Sequence, residues 1–215
     1  MATASQCRLE PVDLSDAGQF AEIQRQRLIC GWNYDPQTLQ KWKAKQQEGL
    51  KNLFWITIPN SSSNEENSII RTGHISLDAY TDPPEPDLAR ADKSVLTVSS
   101  FFILPEYRSY GLGRRAMGLV EELAVTEPYG SPRCRFVTLT GLSKRYVYDE
   151  GPEWRGMWAR IGMTPPSFSV QEWYEQLGYV SWKSEPLYEE KALNGEVIKL
   201  WEAFMRKEMA VKNME

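Results

Sequence analysis

Residues 108–114, in the order RSYGLGR, are the group in this chain whose types and spacing best fit a chemical task. They follow a β-like run at 95–104 and precede an amphipathic run at 114–124, which gives the order strand, loop, helix. Amides at a helix start have no intrahelical partner, and the helix dipole adds positive potential there. Glycine lets the backbone approach an anion closely. The segment therefore predicts a site for a multiply charged anion, such as a phosphate group.

Two other phosphate loops do not fit this segment. A Walker A loop requires Gly-x4-Gly-Lys-Ser/Thr, and that string is absent from the sequence. A dinucleotide fingerprint requires G-x-G-x-x-G, but Ala116 occupies the place of the third glycine. The motif also lies in the middle of the chain, whereas the fingerprint is expected after the first strand. The pattern that remains is R-x-x-G-x-G after the phrase ILPEY.

This pattern resembles the acetyl-CoA loop of the GNAT superfamily of N-acetyltransferases. In that family the loop amides hold the pyrophosphate of coenzyme A. The resemblance implies that acetyl-CoA is the co-substrate, and the sequence predicts no metal. The residues that it assigns to the loop are Arg108, Ser109, Tyr110, Gly111, Leu112, Gly113 and Arg114.

A second phrase, WYEQLGY at 173–179, resembles the family's L-Y-E-K-L-G-F. The resemblance makes Tyr174 the acid that protonates the departing thiolate, and a phenol has a suitable proton and reach. The alternative is a tyrosine buried between a helix and the sheet. Ser167 stands where the family often has an asparagine that contacts the cofactor's arm, and a hydroxyl is a substitute for that amide.

The resemblance also implies a mechanism of direct attack by the acceptor amine, with no enzyme nucleophile. A bulge in the central strand would free the amides of Phe101, Phe102 and Ile103 to hold the pantetheine arm and polarise the thioester carbonyl. The family's usual carboxylate base is absent from 95–104. Substitutes are Asp78, His74, Asp149 and Glu150, each of which is otherwise a surface group, and deprotonation of the amine in solution is a further alternative.

The elements around these motifs are predicted from local signals. Asp13 or Ser15 is expected to cap a first helix that Gly31 ends, and Asp35-Pro36 to open a second helix. Apolar runs predict strands at 8–12, 52–58, 69–80, 95–104 and 135–140, with Gly73 at a bulge and a polar turn at 60–67. The resemblance implies an α/β (α+β) GNAT fold. Its mixed, mostly antiparallel sheet has six or seven strands, a splayed central pair and about four flanking helices.

Residues 1–215 are expected to form one GNAT domain in which 142–167 is an insertion. This insertion contains Trp154 and Trp158 at a spacing that fits one helix face, so it is either a lid over the acceptor site or a surface helix packed on the body. The C-terminal segment is ambiguous. Val197, Trp201 and Met205 have helical spacing, whereas the resemblance makes about 199–206 the last strand.

Composition narrows the function classes. The chain has 215 residues and a net charge of −4, which gives no general argument for nucleic-acid binding. Three dispersed cysteines and one histidine argue against structural zinc and favour a reducing compartment. No signal peptide and no membrane-spanning run is evident, so the sequence predicts a cytoplasmic location, with the nucleus left open.

The sequence thus predicts an N-acetyltransferase that moves the acetyl group of acetyl-CoA to a primary amine, with a small-molecule acceptor favoured over a protein. Two other functions stay open: a CoA-binding regulatory module without turnover, and a nucleotide-binding protein with a different phosphate loop. The acceptor, the length of the acyl group and the oligomeric state are left open, although a homodimer fits the family.

Overall fold

The computed structural model describes residues 4–60 and 68–210, within which six α-helices and eight strands are found; the predicted turn at 60–67 lies almost wholly outside them. In chain order these are β1 (Arg8–Pro11), α1 (Ala17–Cys30), α2 (Pro36–Gln47), β2 (Lys51–Pro59), β3 (Ile69–Asp78), β4 (Val95–Thr97), β5 (Phe101–Ile103), α3 (Leu112–Ala124), β6 (Phe136–Leu142), α4 (Arg145–Tyr148), α5 (Met157–Arg160), α6 (Val170–Glu175), β7 (Val180–Lys191) and β8 (Val197–Glu208).

The strands form an open, mostly antiparallel sheet in the order β1-β2-β3-β4-β6-β8-β7, and β5 pairs with β3 outside this path. The predicted α/β fold class is therefore confirmed. By compactness the chain divides into two units, one formed by residues up to Val137 together with those from Met209, the other by residues 138–208. The expectation of a single domain stays a prediction.

The helices of the first unit begin and end at local signals. Asp16 caps α1 by accepting a hydrogen bond from the Gln19 amide at 2.8 Å, and Gly31 ends it with a left-handed φ of 85°. The prediction of Asp13 or Ser15 as the cap was wrong, because the Asp13 carboxylate instead accepts from the Ser15 amide in the preceding turn.

Helices α1 and α2 both bury their apolar faces against β2. The fully or nearly buried residues of this core are Val12, Leu14, Ile23, Leu39, Trp42, Leu53 and Trp55. Apolar burial of this kind is the main favourable term in holding the two helices on the sheet. Within residues 4–60 and 68–210, no helix is both long and apolar enough to cross a membrane.

The strand predicted at 95–104 is interrupted. β4 pairs with the end of β3 through Asp78 and Thr97, residues 98–100 lie outside both strands, and β5 resumes pairing with β3 further along. Gly73 allows β5 to lie this close to β3, because a Cβ at that position would lie 2.1 Å from the Phe102 carbonyl oxygen. The register of β2 and β3 shifts beside Gly73, which confirms the predicted irregularity there.

In the second unit, β7 and β8 form a long antiparallel hairpin. The C-terminal segment is therefore a strand, as the resemblance implied, and the alternative of a helix was wrong. Residues 142–167 supply α4 and α5, and Trp154 and Trp158 are buried with Tyr146 against Leu200 of β8. The two tryptophans thus pack into a core, and Trp154 precedes α5 instead of sharing one helix with Trp158. A lid function for the insertion stays a prediction.

Candidate active site

The predicted anion loop joins the short 3-10 turn after β5 to α3. Gly111 is the N-cap of α3, with a left-handed φ of 76° and no side-chain cap. Ser109 is also left-handed, with φ of 68°. Because the first amides of a helix have no intrahelical acceptor, an uncapped start leaves them available to an anion.

Two side chains of the loop differ in their orientation. The Arg108 guanidinium turns back toward β5: its Nε donates to the Ile103 carbonyl oxygen at 3.1 Å, and its Cζ lies 5.5 Å from the centre of the Phe102 ring. The Tyr110 side chain is exposed. Arg108 therefore fixes the loop to the strand.

The edge of β5 that faces away from β3 can be identified from two backbone hydrogen bonds that join the residues flanking β5 to β3. The Ser76 amide donates to the Ser100 carbonyl at 2.7 Å, and the Leu104 amide donates to the Thr72 carbonyl at 2.9 Å. Backbone groups alternate in an antiparallel strand, so residue 102 also faces β3 and residues 101 and 103 face the other edge. Of the three amides predicted from sequence, those of Phe101 and Ile103 thus have the required direction, and that of Phe102 points to β3.

Tyr174 lies in the second unit, on α6. Ser169 caps this helix by accepting from the Glu172 amide at 3.2 Å. The Tyr174 ring lies over Gly141, where a Cβ would be 3.5 Å from the ring, and packs 5.9 Å from the ring of Tyr179. Burial, with a smaller contribution from the Glu202 charge, raises the pKa of Tyr174, so the phenol keeps its proton at neutral pH. Ser167, just before α6, is exposed.

Glu202 is a buried acid that the sequence reasoning missed. It lies on β8 opposite Glu185, its side chain is 6% exposed, and no donor or cation among the described residues pairs with its carboxyl. Burial alone raises its pKa to about 8. The sequence does contain a signal for this burial, because Glu202 lies at an alternate position in a series with Ile198, Leu200 and Phe204. This alternation predicts burial only if the segment is a strand.

The four proposed substitutes for a base have different surroundings. Asp78 is fully buried and paired with Lys51, whose Nζ lies 2.7 Å from its Oδ2. His74 is also fully buried, and burial with the nearby Arg27 lowers its pKa well below the usual range. Asp149 pairs with Arg145 and Glu150 with Arg155. These last two pairs are exposed, as expected for surface groups.

A groove of about 740 Å³ lies between β1 and α3, and its lining includes Cys7, Arg115 and Leu119. None of the predicted site residues lines it. Among residues 4–60 and 68–210, no cluster of three or more His, Cys, Asp or Glu side chains could hold a metal ion.

An open mixed sheet with an interrupted central strand, followed by a glycine loop and an uncapped helix, defines the GNAT acetyltransferase fold, and the chain has this fold. It is similar to the loading GNATL domain of CurA from Lyngbya majuscula, with 14% identity, a TM-score of 0.60 and coverage of 96% of this chain and 99% of that one. The predicted resemblance to the superfamily is thereby confirmed at the level of the fold.

Two further solved structures were obtained with acetyl-CoA or with coenzyme A. Arabidopsis thaliana NAA60 in complex with acetyl-CoA has 14% identity and a TM-score of 0.55, and the match covers 94% of this chain and 98% of that one. An aminoglycoside 6'-N-acetyltransferase complexed with coenzyme A has 12% identity and a TM-score of 0.53, with coverage of 95% and 98%. No protein-family model and no curated protein matches the sequence.

Proposed function

We propose that this protein transfers the acetyl group of acetyl-CoA to a primary amine by direct attack. The observation that carries the proposal is the uncapped start of α3 at a left-handed Gly111, which follows the interrupted central strand after one short 3-10 turn. The solved structures with bound acetyl-CoA or coenzyme A support the same donor. A CoA-binding module without turnover is the weaker alternative, because the similar proteins named above include an N-acetyltransferase.

The donor would be held by groups of two kinds. Loop amides at 108–114 bind the pyrophosphate, and the outward amides of Phe101 and Ile103 bind the pantetheine arm, with one of them polarising the thioester carbonyl. Ser167, which is exposed, remains the proposed contact for the cofactor's arm. In this arrangement acetyl-CoA supplies the activated acyl group, and the chain supplies its orientation.

Tyr174 is the proposed acid. The nitrogen of the neutral amine forms a bond to the thioester carbon, the carbon–sulfur bond breaks, and the departing thiolate takes the phenol proton. The nitrogen releases one proton to solvent as the amide forms, and the tyrosinate regains a proton from solvent. Because burial raises the pKa of this phenol, the group is protonated before the step. The raised pKa also drives the return of the proton after each turnover.

A small-molecule acceptor is proposed because the similar structures include an enzyme named for an aminoglycoside. The insertion at 142–167 remains the proposed wall of the acceptor site, with its exposed Tyr148 as a contact, since Trp154 and Trp158 are buried. The cytoplasmic location and a homodimer stay predictions from the sequence.

The function can be tested by thiol release from acetyl-CoA with a panel of primary amines, alongside calorimetry with acetyl-CoA, ATP and NAD. We expect acetyl-CoA to bind, ATP and NAD not to bind, and at least one amine to accelerate thiol release. Binding without release by any amine would favour the regulatory module. Binding of ATP or NAD in place of acetyl-CoA would overturn the assignment of the loop.

Gly111→Val should weaken acetyl-CoA binding about tenfold, or ~1.4 kcal/mol. A β-branched residue is strained at a φ of 76°, and a Cβ would lie 3.3 Å from the Ala4 side chain, so the loop must move. Calorimetry measures the effect. Gly118→Ala is the matched control: Gly118 lies in the same helix, and a Cβ at that position would meet nothing within 4 Å. Unchanged affinity in Gly111→Val would refute this placement of the pyrophosphate.

Tyr174→Phe should lower kcat about 100-fold while leaving the affinity for acetyl-CoA unchanged, because only the proton donor is lost. Tyr179→Phe removes a hydroxyl from the neighbouring ring, 5.9 Å away, and should keep kcat. Thiol-release kinetics compare the two variants. Equal losses in both would indicate that the hydroxyl of Tyr174 acts through packing and not as an acid.

A further inference from the structure

The gap between β4 and β5 contains a buried carboxylate that reaches the surface through one serine. Asp78 Oδ2 accepts hydrogen bonds from Lys51 Nζ at 2.7 Å and from Ser76 Oγ at 3.2 Å. The Ser99 hydroxyl donates to the same oxygen. Ser99 is exposed, whereas Asp78 and Lys51 are buried. A chain of hydrogen bonds therefore connects the surface of the gap to a buried proton acceptor.

The two oxygens of this carboxylate are used unequally. Oδ2 receives three donors, whereas Oδ1 is buried and has no donor among the described residues. The Ser100 hydroxyl, in the same gap, is likewise buried without a partner in the part of the chain that the structure describes. Buried polar groups are nearly always paired, and exceptions in native structures often have a functional reason. The Ser99 hydroxyl donates to Oδ2, so that oxygen is where a proton passed on by Ser99 arrives.

We propose that Ser99 passes the proton of the acceptor's ammonium group to Asp78, which is the general base of the reaction. The proposal rests on the proposed function, because it takes the gap beside Phe101 as the place where amine and thioester meet. The nitrogen–hydrogen bond breaks as Ser99 Oγ takes that proton, and the hydroxyl proton of Ser99 moves to Asp78. The freed electron pair on nitrogen then forms the bond to the acetyl carbon.

This relay explains how a central strand without a carboxylate can serve a base-dependent reaction. Ser99 supplies the contact with the substrate, and Asp78 supplies the charge from the neighbouring strand. The charged and titratable groups around Asp78 are Lys51 on β2 and Tyr80 just after β3. The positive charge of Arg27 on α1 contributes to lowering the pKa of Lys51. Lys51 keeps the site neutral overall before the proton arrives, and Asp78 becomes a neutral acid beside it.

The test compares Ser99→Ala with Ser99→Thr on two acceptors of similar size, ethylamine and trifluoroethylamine. Near neutral pH the first is an ammonium ion that must lose a proton, and the second is already a neutral amine. We expect Ser99→Ala to lower kcat about 100-fold with ethylamine, with a deficit that shrinks as pH rises. It should have little effect with trifluoroethylamine, and Ser99→Thr should retain activity with both.

Calorimetry adds a readout that does not depend on turnover: Ser99→Ala should bind acetyl-CoA as the wild type does. An equal loss with both amines, or no loss with either, would overturn the relay while leaving the proposed function intact. A wild-type protein that binds acetyl-CoA but acetylates neither these nor any other primary amine would overturn the proposed function, and the relay with it.

Discussion

Replacing Lys51 by methionine is expected to destabilise the protein by about 3–5 kcal/mol, because it leaves the Asp78 charge buried without its partner. Both side chains are 1% exposed and the Nζ–Oδ2 distance is 2.7 Å. Lys51 Nζ also lies 4.3 Å from the centre of the Trp42 ring, and this cation–π contact is lost in the same variant. Urea unfolding at neutral pH measures the change in the free energy of unfolding.

Two controls separate burial from charge. Lys41→Met removes a lysine whose ion pair with Asp82 is about 70% exposed on both sides, and should change stability by less than about 1 kcal/mol. The double variant Lys51→Met, Asp78→Asn removes both charges and should recover much of the loss. If Lys51→Met were as stable as Lys41→Met, the pair would not be buried in solution, and the proton relay would lose its acceptor.

The parts of the fold that could be predicted from sequence are those fixed by neighbouring residues. Gly31 ends α1, and Asp35 with Pro36 begins α2, because capping and the proline constraint act within one turn. The glycine loop before α3 was predicted for the same reason. Its conformation depends on Gly111, which is left-handed at the helix start.

The features that sequence reasoning missed depend on contacts between distant segments. After the interruption of the central strand, β5 packs closely on Gly73, and the nearest residue, Phe102, is 29 positions later in the chain. Likewise, Lys51 and Asp78 are 27 residues apart and meet only because β2 and β3 pair. No local pattern encodes such a pair, so Asp78 looked like a surface acid.

The C-terminal strand shows how two periodicities compete. Val197, Trp201 and Met205 fit a helix, but Val197 is exposed, whereas Ile198, Leu200 and Phe204, which lie at alternate positions of β8, are buried. Pairing with β7 over the whole hairpin decides in favour of the strand. Glu202 occupies one position of that alternating series, so the choice of a strand is also what places an acid inside the protein.

Glu202→Gln is expected to stabilise the protein at alkaline pH and to have little effect in acid. Burial raises the pKa of Glu202 from 4.5 to about 8, so the folded state holds a proton that the unfolded chain releases near pH 4.5. Stability therefore falls as pH rises through this window, by roughly 3–5 kcal/mol in total, and levels off above the folded pKa. Glutamine resembles the protonated form and avoids this loss.

Urea unfolding at about pH 5 and about pH 8.5 distinguishes this from a packing effect. The gain from Glu202→Gln should be small at the lower pH and reach several kcal/mol at the higher one. Glu185→Gln is the control, because Glu185 lies opposite Glu202 in the hairpin, is partly exposed and pairs with Lys183 at 2.8 Å. A gain of equal size at both pH values would mean that Glu202 carries no extra proton in the folded state. In that case the Glu202 carboxylate would be charged beside Tyr174 at neutral pH, and its charge would add to burial in raising the pKa of that phenol.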